Sequence, residues 1–270
     1  INGGTYNVGK AANGTSNATI YVQGPDTYSR NGTVVINGGT FKAEEGSDGT
    51  RFVLNQSDDI TTSCFTVKGG TFIGFNPANV NEAHGAITSF VAEGYKSVKV
   101  SDSPETWEVQ DASVSAATQE EFTSVVAEAG AKVVLAAGTY SAPSTIADGV
   151  IIEGVAGTVI DIPAAVAYHD KNIKFKSLTV KSPNANYTGI QHAASVKYED
   201  CTIEGQPFSY ATEAVYENCK FVQTSNDAYN IWTYGSKNIT FNNCEFNCAG
   251  KAVLIYNEGA LATSKVTLNN

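Results

Sequence analysis

A group of seven residues between positions 187 and 234 has the side-chain types that bind sugars. The group comprises Tyr187, His192, Asp227, Tyr229, Asn230, Trp232 and Tyr234. A flat aromatic ring offers apolar area to the C–H face of a sugar, and aspartate and asparagine side chains form hydrogen bonds with its hydroxyl groups. These residues therefore predict a glycan-binding surface. The alternative is that some of the rings pack in the core or against neighbouring loops, as large aromatic side chains commonly do.

The seven residues lie between copies of an eight-residue pattern in which apolar residues alternate, pass a corner and resume. Four copies read "IKFKSLTV" from position 173, "VKYEDCTI" from 196, "AVYENCKF" from 214 and "ITFNNCEF" from 239. Two copies carry a glycine pair, and they read "VVINGGTF" from position 34 and "FTVKGGTF" from position 65. Apolar residues two apart face one side of a strand, so each copy predicts two short strands joined at an angle. Repeated copies with connections of varying length predict a solenoid.

The fifth position of each copy is the predicted corner. It holds a residue that tolerates left-handed backbone angles: Ser177, Asp200, Asn218, Asn243, Gly38 or Gly69. Asparagine and aspartate visit this conformation more readily than most residues, and glycine does so without strain. We therefore expect positive φ angles at these positions.

Three of the five cysteines share the position after the corner, which predicts a row of thiols inside successive coils. They are Cys201, Cys219 and Cys244. Metal binding and disulfide formation are the alternatives. The sequence has no CxxC pair and no histidine at ligand spacing, so buried free thiols are predicted, with no metal site and no cofactor.

Composition excludes two classes of partner. The chain has 270 residues, a formal net charge of −10 and only two arginines, Arg30 and Arg51. Nucleic-acid binding depends on clustered basic residues, so no nucleic-acid partner is expected. No apolar run approaches the roughly 20 residues that span a bilayer, so no membrane insertion is expected. Both chain ends fall inside the repeat pattern, from which we expect a segment of a longer polypeptide.

The chain is predicted to have two sections, residues 1–111 and 112–270. The first is a glycine-rich solenoid section that ends in a hairpin formed by "YKSVKV" and "ETWEV". The second opens with a helix, because Thr118 followed by Glu121 forms a capping box and an apolar face follows, with Gly130 as the stop signal. The predicted fold is all-β, a right-handed parallel β-helix whose open end is covered by one short capping α-helix.

From Thr118 onward the chain resembles the pectate-lyase-like right-handed parallel β-helix superfamily. The resemblance rests on the order of a helix, "VVLAAGTY", "GVIIEG" and the repeated coils. Residues 1–111, with their "GGTF" coils, "FVAEGY" and a closing tryptophan strand, resemble a module that recurs in surface proteins and phage proteins of gut bacteria. Both resemblances imply an extracellular setting, on a cell surface or a virion.

The superfamily includes polysaccharide lyases, galacturonases, phage tailspikes and non-catalytic adhesins, so the resemblance leaves catalysis open. The lyases use an arginine base, and the second section has no arginine. Galacturonases carry "NTD", "DD" and "GHG" motifs, whereas this chain has Thr188 in place of the first acid, a single Asp227 and no "GHG". His192 with Asp227 remains a conceivable substitute site.

The sequence predicts a structural or adhesive segment of an extracellular fibre or surface appendage, of bacterial or phage origin, that binds surface glycans. Other copies or segments of the same fibre are the second class of expected partner. The alternative function is a carbohydrate-active enzyme, such as a tailspike-like depolymerase.

Overall fold

The computed structural model describes residues 1–9, 16–24, 32–43, 50–57, 60–80, 87–185, 187–207, 210–233, 238–255 and 265–270. The chain divides into two compact units, unit 1 (Ile1–Ala112) and unit 2 (Ser113–Asn270). Both units are built from short strands that stack mainly in parallel, so the protein is all-β, with the stacking of a β-helix.

Unit 1 contains three sheets in its described residues. Its strands are β1 (Asn2–Val8), β2 (Ser16–Val22), β3 (Val34–Ile36), β4 (Gly38–Ala43), β5 (Thr50–Gln56), β6 (Phe65–Val67), β7 (Gly70–Ile73), β8 (Tyr95–Asp102) and β9 (Glu105–Asp111). Strands β1, β4 and β7 pair in parallel, as do β2 with β5 and β3 with β6. The predicted hairpin is present, because β8 pairs antiparallel with β9, which in turn pairs antiparallel with β7.

In its described residues, unit 2 stacks its strands into two long parallel sheets and a short one. Its elements are β10 (Ser113–Ala116), α1 (Gln119–Val125), β11 (Lys132–Leu135), β12 (Gly138–Ser141), β13 (Val150–Gly154), β14 (Thr158–Asp161), β15 (Ala165–Ala167), β16 (Asn172–Lys176), β17 (Thr179–Lys181), β18 (Gly189–Glu199), β19 (Thr202–Glu204), β20 (Tyr210–Glu217), β21 (Lys220–Gln223), β22 (Tyr229–Trp232), β23 (Asn238–Asn242), β24 (Glu245–Cys248), β25 (Lys251–Leu254) and β26 (Lys265–Asn269).

At each corner of the eight-residue copies, the chain passes from the first long sheet of unit 2 to the second. The first sheet has the order β10-β11-β13-β16-β18-β20-β23-β26, with β15 also paired to β18. The second has the order β12-β14-β17-β19-β21-β24, and β22 pairs with β25. Each predicted eight-residue copy in this unit therefore supplies one strand to each long sheet, with the corner between them.

The corner prediction is confirmed in unit 2 and wrong by one residue in unit 1. Positive φ angles of 54°, 54°, 53° and 49° occur at Ser177, Asp200, Asn218 and Asn243. In unit 1, Gly39 (φ 119°) and Gly70 (φ 116°) take positive φ, whereas Gly38 and Gly69 do not. Gly69 is needed for a different reason, because an added Cβ would overlap the carbonyl oxygen of Asn37 in the preceding coil.

In-register stacking brings equivalent aromatic residues of successive coils face to face. The rings of Phe175 and Tyr198 lie 5.3 Å apart, those of Tyr198 and Tyr216 lie 4.8 Å apart, and those of Tyr216 and Phe241 lie 5.0 Å apart. All three pairs are within 12° of parallel. This column lies within the buried core of unit 2, because in-register pairing places the inward residue of each coil against the equivalent residue of the next.

The predicted row of thiols is present. Cys201 and Cys219 are buried, while Cys244 is only half-buried, and all three are free. The Sγ atoms of Cys201 and Cys219 each donate to a backbone carbonyl at 3.3 Å. A hydrogen bond with Cys201 and burial both raise the pKa of the Cys219 thiol. Within the described ranges, no group of three or more His, Cys, Asp or Glu side chains is placed to hold a metal ion.

Helix α1 has the predicted start and covers the apolar interior next to β10 and β11. Thr118 is the N-cap, and its side chain and that of Glu121 form the reciprocal bonds of a capping box. Phe122 is fully buried, and its ring meets the Tyr140 ring edge-on at 5.8 Å. The helix ends at Val125 rather than at Gly130, which takes a φ of 69° in the turn that follows.

The outward face of the first long sheet carries a network of ion pairs across the coils. Glu153 contacts Lys132 at 3.3 Å and Lys176 at 3.8 Å. Glu199 contacts Lys174 at 2.6 Å and Lys176 at 3.8 Å. Partial burial of Glu199 opposes its ionisation, but the hydrogen bond from Lys174 and the surrounding lysine charges outweigh it. The pKa of Glu199 is therefore below its ordinary value of 4.5.

Candidate functional site

Tyr187 and Trp232 of unit 2 form a ring pair, called here the aromatic pair. Tyr187 precedes β18, takes a φ of 64° and leaves 53% of its surface exposed. Trp232 is the last residue of β22 and is half-buried. The ring centroids lie 5.3 Å apart with the planes inclined at 39°. Two residues far apart in sequence thus present one apolar surface, with Tyr187 as its accessible part.

A second group of rings, called here the imidazole row, consists of His169, His192 and Tyr210. The imidazoles of His169 and His192 stack at 4.8 Å with an angle of 11°, and the Tyr210 ring meets His192 edge-on at 4.5 Å. His192 sits at a bulge with a φ of 62°, where the pairing of β18 with β20 shifts register. Its carbonyl accepts a hydrogen bond of 3.0 Å from the backbone N–H of Asp170, which also has positive φ.

Asp227 lies on the connection between β21 and β22, and Tyr229 is the first residue of β22. The Tyr229 ring is half-buried, and the Nζ atom of Lys251 lies 4.9 Å from its centroid. This is within the range of a cation–π contact. Asp227 is exposed, and its backbone N–H donates to the Ser225 hydroxyl at 3.3 Å. Lys251 did not figure in the sequence prediction, because it comes from a later strand.

Asn230 must be removed from the predicted glycan-binding group. Its side chain is fully buried, and its Nδ2 atom donates to the carbonyl of Gly205 at 2.7 Å. Its Oδ1 atom accepts from the Cys248 thiol at 3.6 Å. An asparagine with both amide atoms engaged in the interior cannot contact a sugar, so its role is structural. Tyr234, the last of the seven predicted residues, lies outside the described residues.

A buried glutamine, Gln223, connects the segments that carry these rings. It is 2% exposed, and its Nε2 atom contacts Asn184 Oδ1 at 2.8 Å, the Gly205 carbonyl at 3.0 Å and the Tyr229 carbonyl at 3.1 Å. Its Oε1 atom accepts from the backbone N–H of Ser225 at 2.8 Å. The sequence contained a signal for this residue that was missed. Gln223 follows an inward phenylalanine by two positions, so it must point into the core.

Thr188, which stands where galacturonases carry their first acid, has a structural role here. Its side chain is buried, and its hydroxyl lies 3.2 Å from the carbonyl oxygens of both Ala185 and Gln206. A hydroxyl held between two backbone acceptors fastens neighbouring connections to each other. It supplies no carboxyl group for acid or base catalysis.

The chain matched no protein-family model, no curated protein and no solved structure. In the part of the chain that the structure describes, no helix is long and apolar enough to cross a membrane.

Proposed function

We propose that this chain is a structural and adhesive segment of an extracellular fibre or surface appendage, and that unit 2 binds glycans through the aromatic pair. In this proposal unit 2 is a member of the pectate-lyase-like β-helix superfamily, and unit 1 is a "GGTF" module of surface and phage proteins. The stacked parallel sheets support the first assignment, and the corner glycines of unit 1 support the second. The partners are surface glycans and other segments of the same fibre.

The observation that carries the glycan proposal is the exposure of Tyr187 beside Trp232. A sugar ring needs an accessible flat apolar surface, and the aromatic pair supplies one at a point where the chain leaves its sheets. The exposed imidazoles of His169 and His192 and the carboxylate of Asp227 offer hydrogen-bonding groups elsewhere on unit 2. Each such contact is weak, so a single copy would bind in the micromolar to millimolar range, and attachment would rely on many copies.

The test is a glycan array probed with a multimerised form of the protein. Tyr187→Ala removes the exposed ring without opening the core, so it should abolish binding while leaving the unfolding midpoint nearly unchanged. Tyr21→Ala in unit 1 is the matched control, because Tyr21 is similarly exposed at 49%. Equal binding by wild type and Tyr187→Ala would refute the proposed surface. Shortening of a bound polysaccharide during incubation would instead support the carbohydrate-active enzyme.

A further inference from the structure

We infer that Gln223 is the positioning residue of the aromatic pair, holding Tyr187 and Trp232 in register across three coils. The inference rests on the proposed function only in its consequence for glycan binding. The positioning itself is a property of the fold. Three connections meet at this one side chain, of which one carries Tyr187 and another leads to Trp232.

The first link is between Gln223 and the connection that carries Tyr187. The Nε2 atom donates to Asn184 Oδ1 at 2.8 Å, three residues before Tyr187. Asn184 itself is exposed, so its own side chain has little packing to hold it. Because an exposed connection has many accessible conformations, a bond from a fixed interior group restricts where Tyr187 can lie.

The second link is between Gln223 and the connection that leads to Trp232. Its Oε1 atom accepts from the Ser225 N–H at 2.8 Å, and its Nε2 atom lies 3.1 Å from the Tyr229 carbonyl. These bonds close the turn between β21 and β22 at both ends. Trp232 follows on the same short strand, so fixing Tyr229 also fixes the start of the strand that presents Trp232.

The third link, to the Gly205 carbonyl at 3.0 Å, anchors the side chain to the intervening coil. An amide NH₂ group has two hydrogens, so with three acceptors one hydrogen is shared. Every polar atom of this buried side chain is therefore used. A hydrocarbon of similar size would fill the space but would leave the Gly205 and Tyr229 carbonyls without this donor.

The variants are Gln223→Leu and a matched control, Gln56→Leu. Gln56 is equally buried in unit 1, where its amide contacts the Ile60 and Thr62 carbonyls and accepts from the Cys64 N–H. Both changes remove a fully engaged buried amide, but only Gln223 is bonded to segments that carry the aromatic pair. A loss of stability that comes simply from removing a buried amide should appear in both variants.

The readout is the environment of Trp232, measured in a Trp107→Phe background that leaves it as the only tryptophan. With Gln223→Leu we expect a red shift of its emission, easier quenching by acrylamide and loss of the near-ultraviolet dichroism of the ring pair. Tyr187→Ala should cause the same loss of dichroism, and Gln56→Leu should cause none of these changes. A folded Gln223→Leu protein with unchanged spectra would overturn the inference.

Asn184→Ala keeps the test decisive if Gln223→Leu does not fold. Asn184 is exposed, so the change removes one link and leaves the core intact. It should weaken the ring-pair dichroism without altering the unfolding midpoint, and unchanged dichroism would count against the inference. No glycan enters these measurements. A blank glycan array would therefore refute the proposed function and leave the positioning result standing, and unchanged spectra with intact Tyr187-dependent glycan binding would do the reverse.

Discussion

Replacing Gly205 with alanine should destabilise unit 2 far more than the same change at Gly130. Both glycines take positive φ, 84° at Gly205 and 69° at Gly130. Their surroundings differ. An added Cβ at Gly130 would meet nothing within 4 Å, whereas at Gly205 it would overlap the backbone carbonyl of Ser182 in the preceding coil. The pair of variants therefore separates conformational strain from close approach between coils.

The expected magnitudes follow from these surroundings. An alanine held in the left-handed region costs about 1–2 kcal/mol, and both variants carry that penalty. At Gly205 the obstructing atom is backbone and cannot rotate away, so relief requires the coils to separate, with a further penalty of about 1–3 kcal/mol for overpacking. The Gly205 carbonyl also accepts from Gln223 and Asn230, and a shift would weaken both hydrogen bonds, worth about 1 kcal/mol each.

We expect Gly205→Ala to lower the free energy of unfolding by about 3–5 kcal/mol and Gly130→Ala by about 1–2 kcal/mol. The assay is urea denaturation followed by circular dichroism, with the midpoints compared after checking that the slopes agree. Equal losses in the two variants would refute the reasoning, because the Ser182 contact would then add nothing to the backbone strain. A loss confined to Gly130→Ala would also contradict it.

Three other predictions concern the corners, the charged face and the thiols. In urea denaturation, Asn218→Val should lower the free energy of unfolding by about 1–2 kcal/mol more than Asn218→Gly, because valine is strained at a φ of 53° and glycine is not. Equal unfolding midpoints would mean that the corner carries no strain. Because the pKa of Glu199 is lowered in the folded protein, its ionised form stabilises the fold above pH 4.5, and this stabilisation is lost as pH falls through the folded-state pKa. Lys174→Met should therefore flatten the acid side of the curve of unfolding free energy against pH, and an unchanged curve would contradict this. Cys201 and Cys219 should react slowly with a thiol reagent in the native protein and quickly after denaturation, because they are buried and the pKa of Cys219 is raised. Rapid labelling of the native protein would show that these thiols are accessible to solvent.

The local elements could be predicted from the sequence because each depends on residues only a few positions apart. Period-two apolar residues specify which side of a strand faces inward, and Thr118 with Glu121 specifies where α1 starts. Asn218 and Asn243 mark corners because their side-chain type tolerates the backbone angle required there. In each glycine pair the corner lies one position later than the sequence predicts. Either glycine can turn the chain, and only the approach of the neighbouring coil distinguishes their roles.

The candidate site was predictable only in part. Aromatic residues on connections could be seen in the sequence, but nothing in it specified that Tyr187 would meet Trp232 or that His169 would stack on His192. These contacts depend on register, and register depends on the lengths and bulges of the connections. Asn230 looks like a surface ligand in the sequence because it alternates with the apolar Ile231, yet both residues are buried, so the burial along β22 does not alternate.

The sequence by itself determined the repeating strand–corner–strand unit, the parallel stacking and the inward column of rings and thiols, since all of these follow from short-range periodicity. Only the tertiary structure decided which connections lie side by side and which polar groups are buried between them. Gln223 shows the physical reason. Its four hydrogen-bond partners come from three different coils, so their convergence exists only after the coils have stacked.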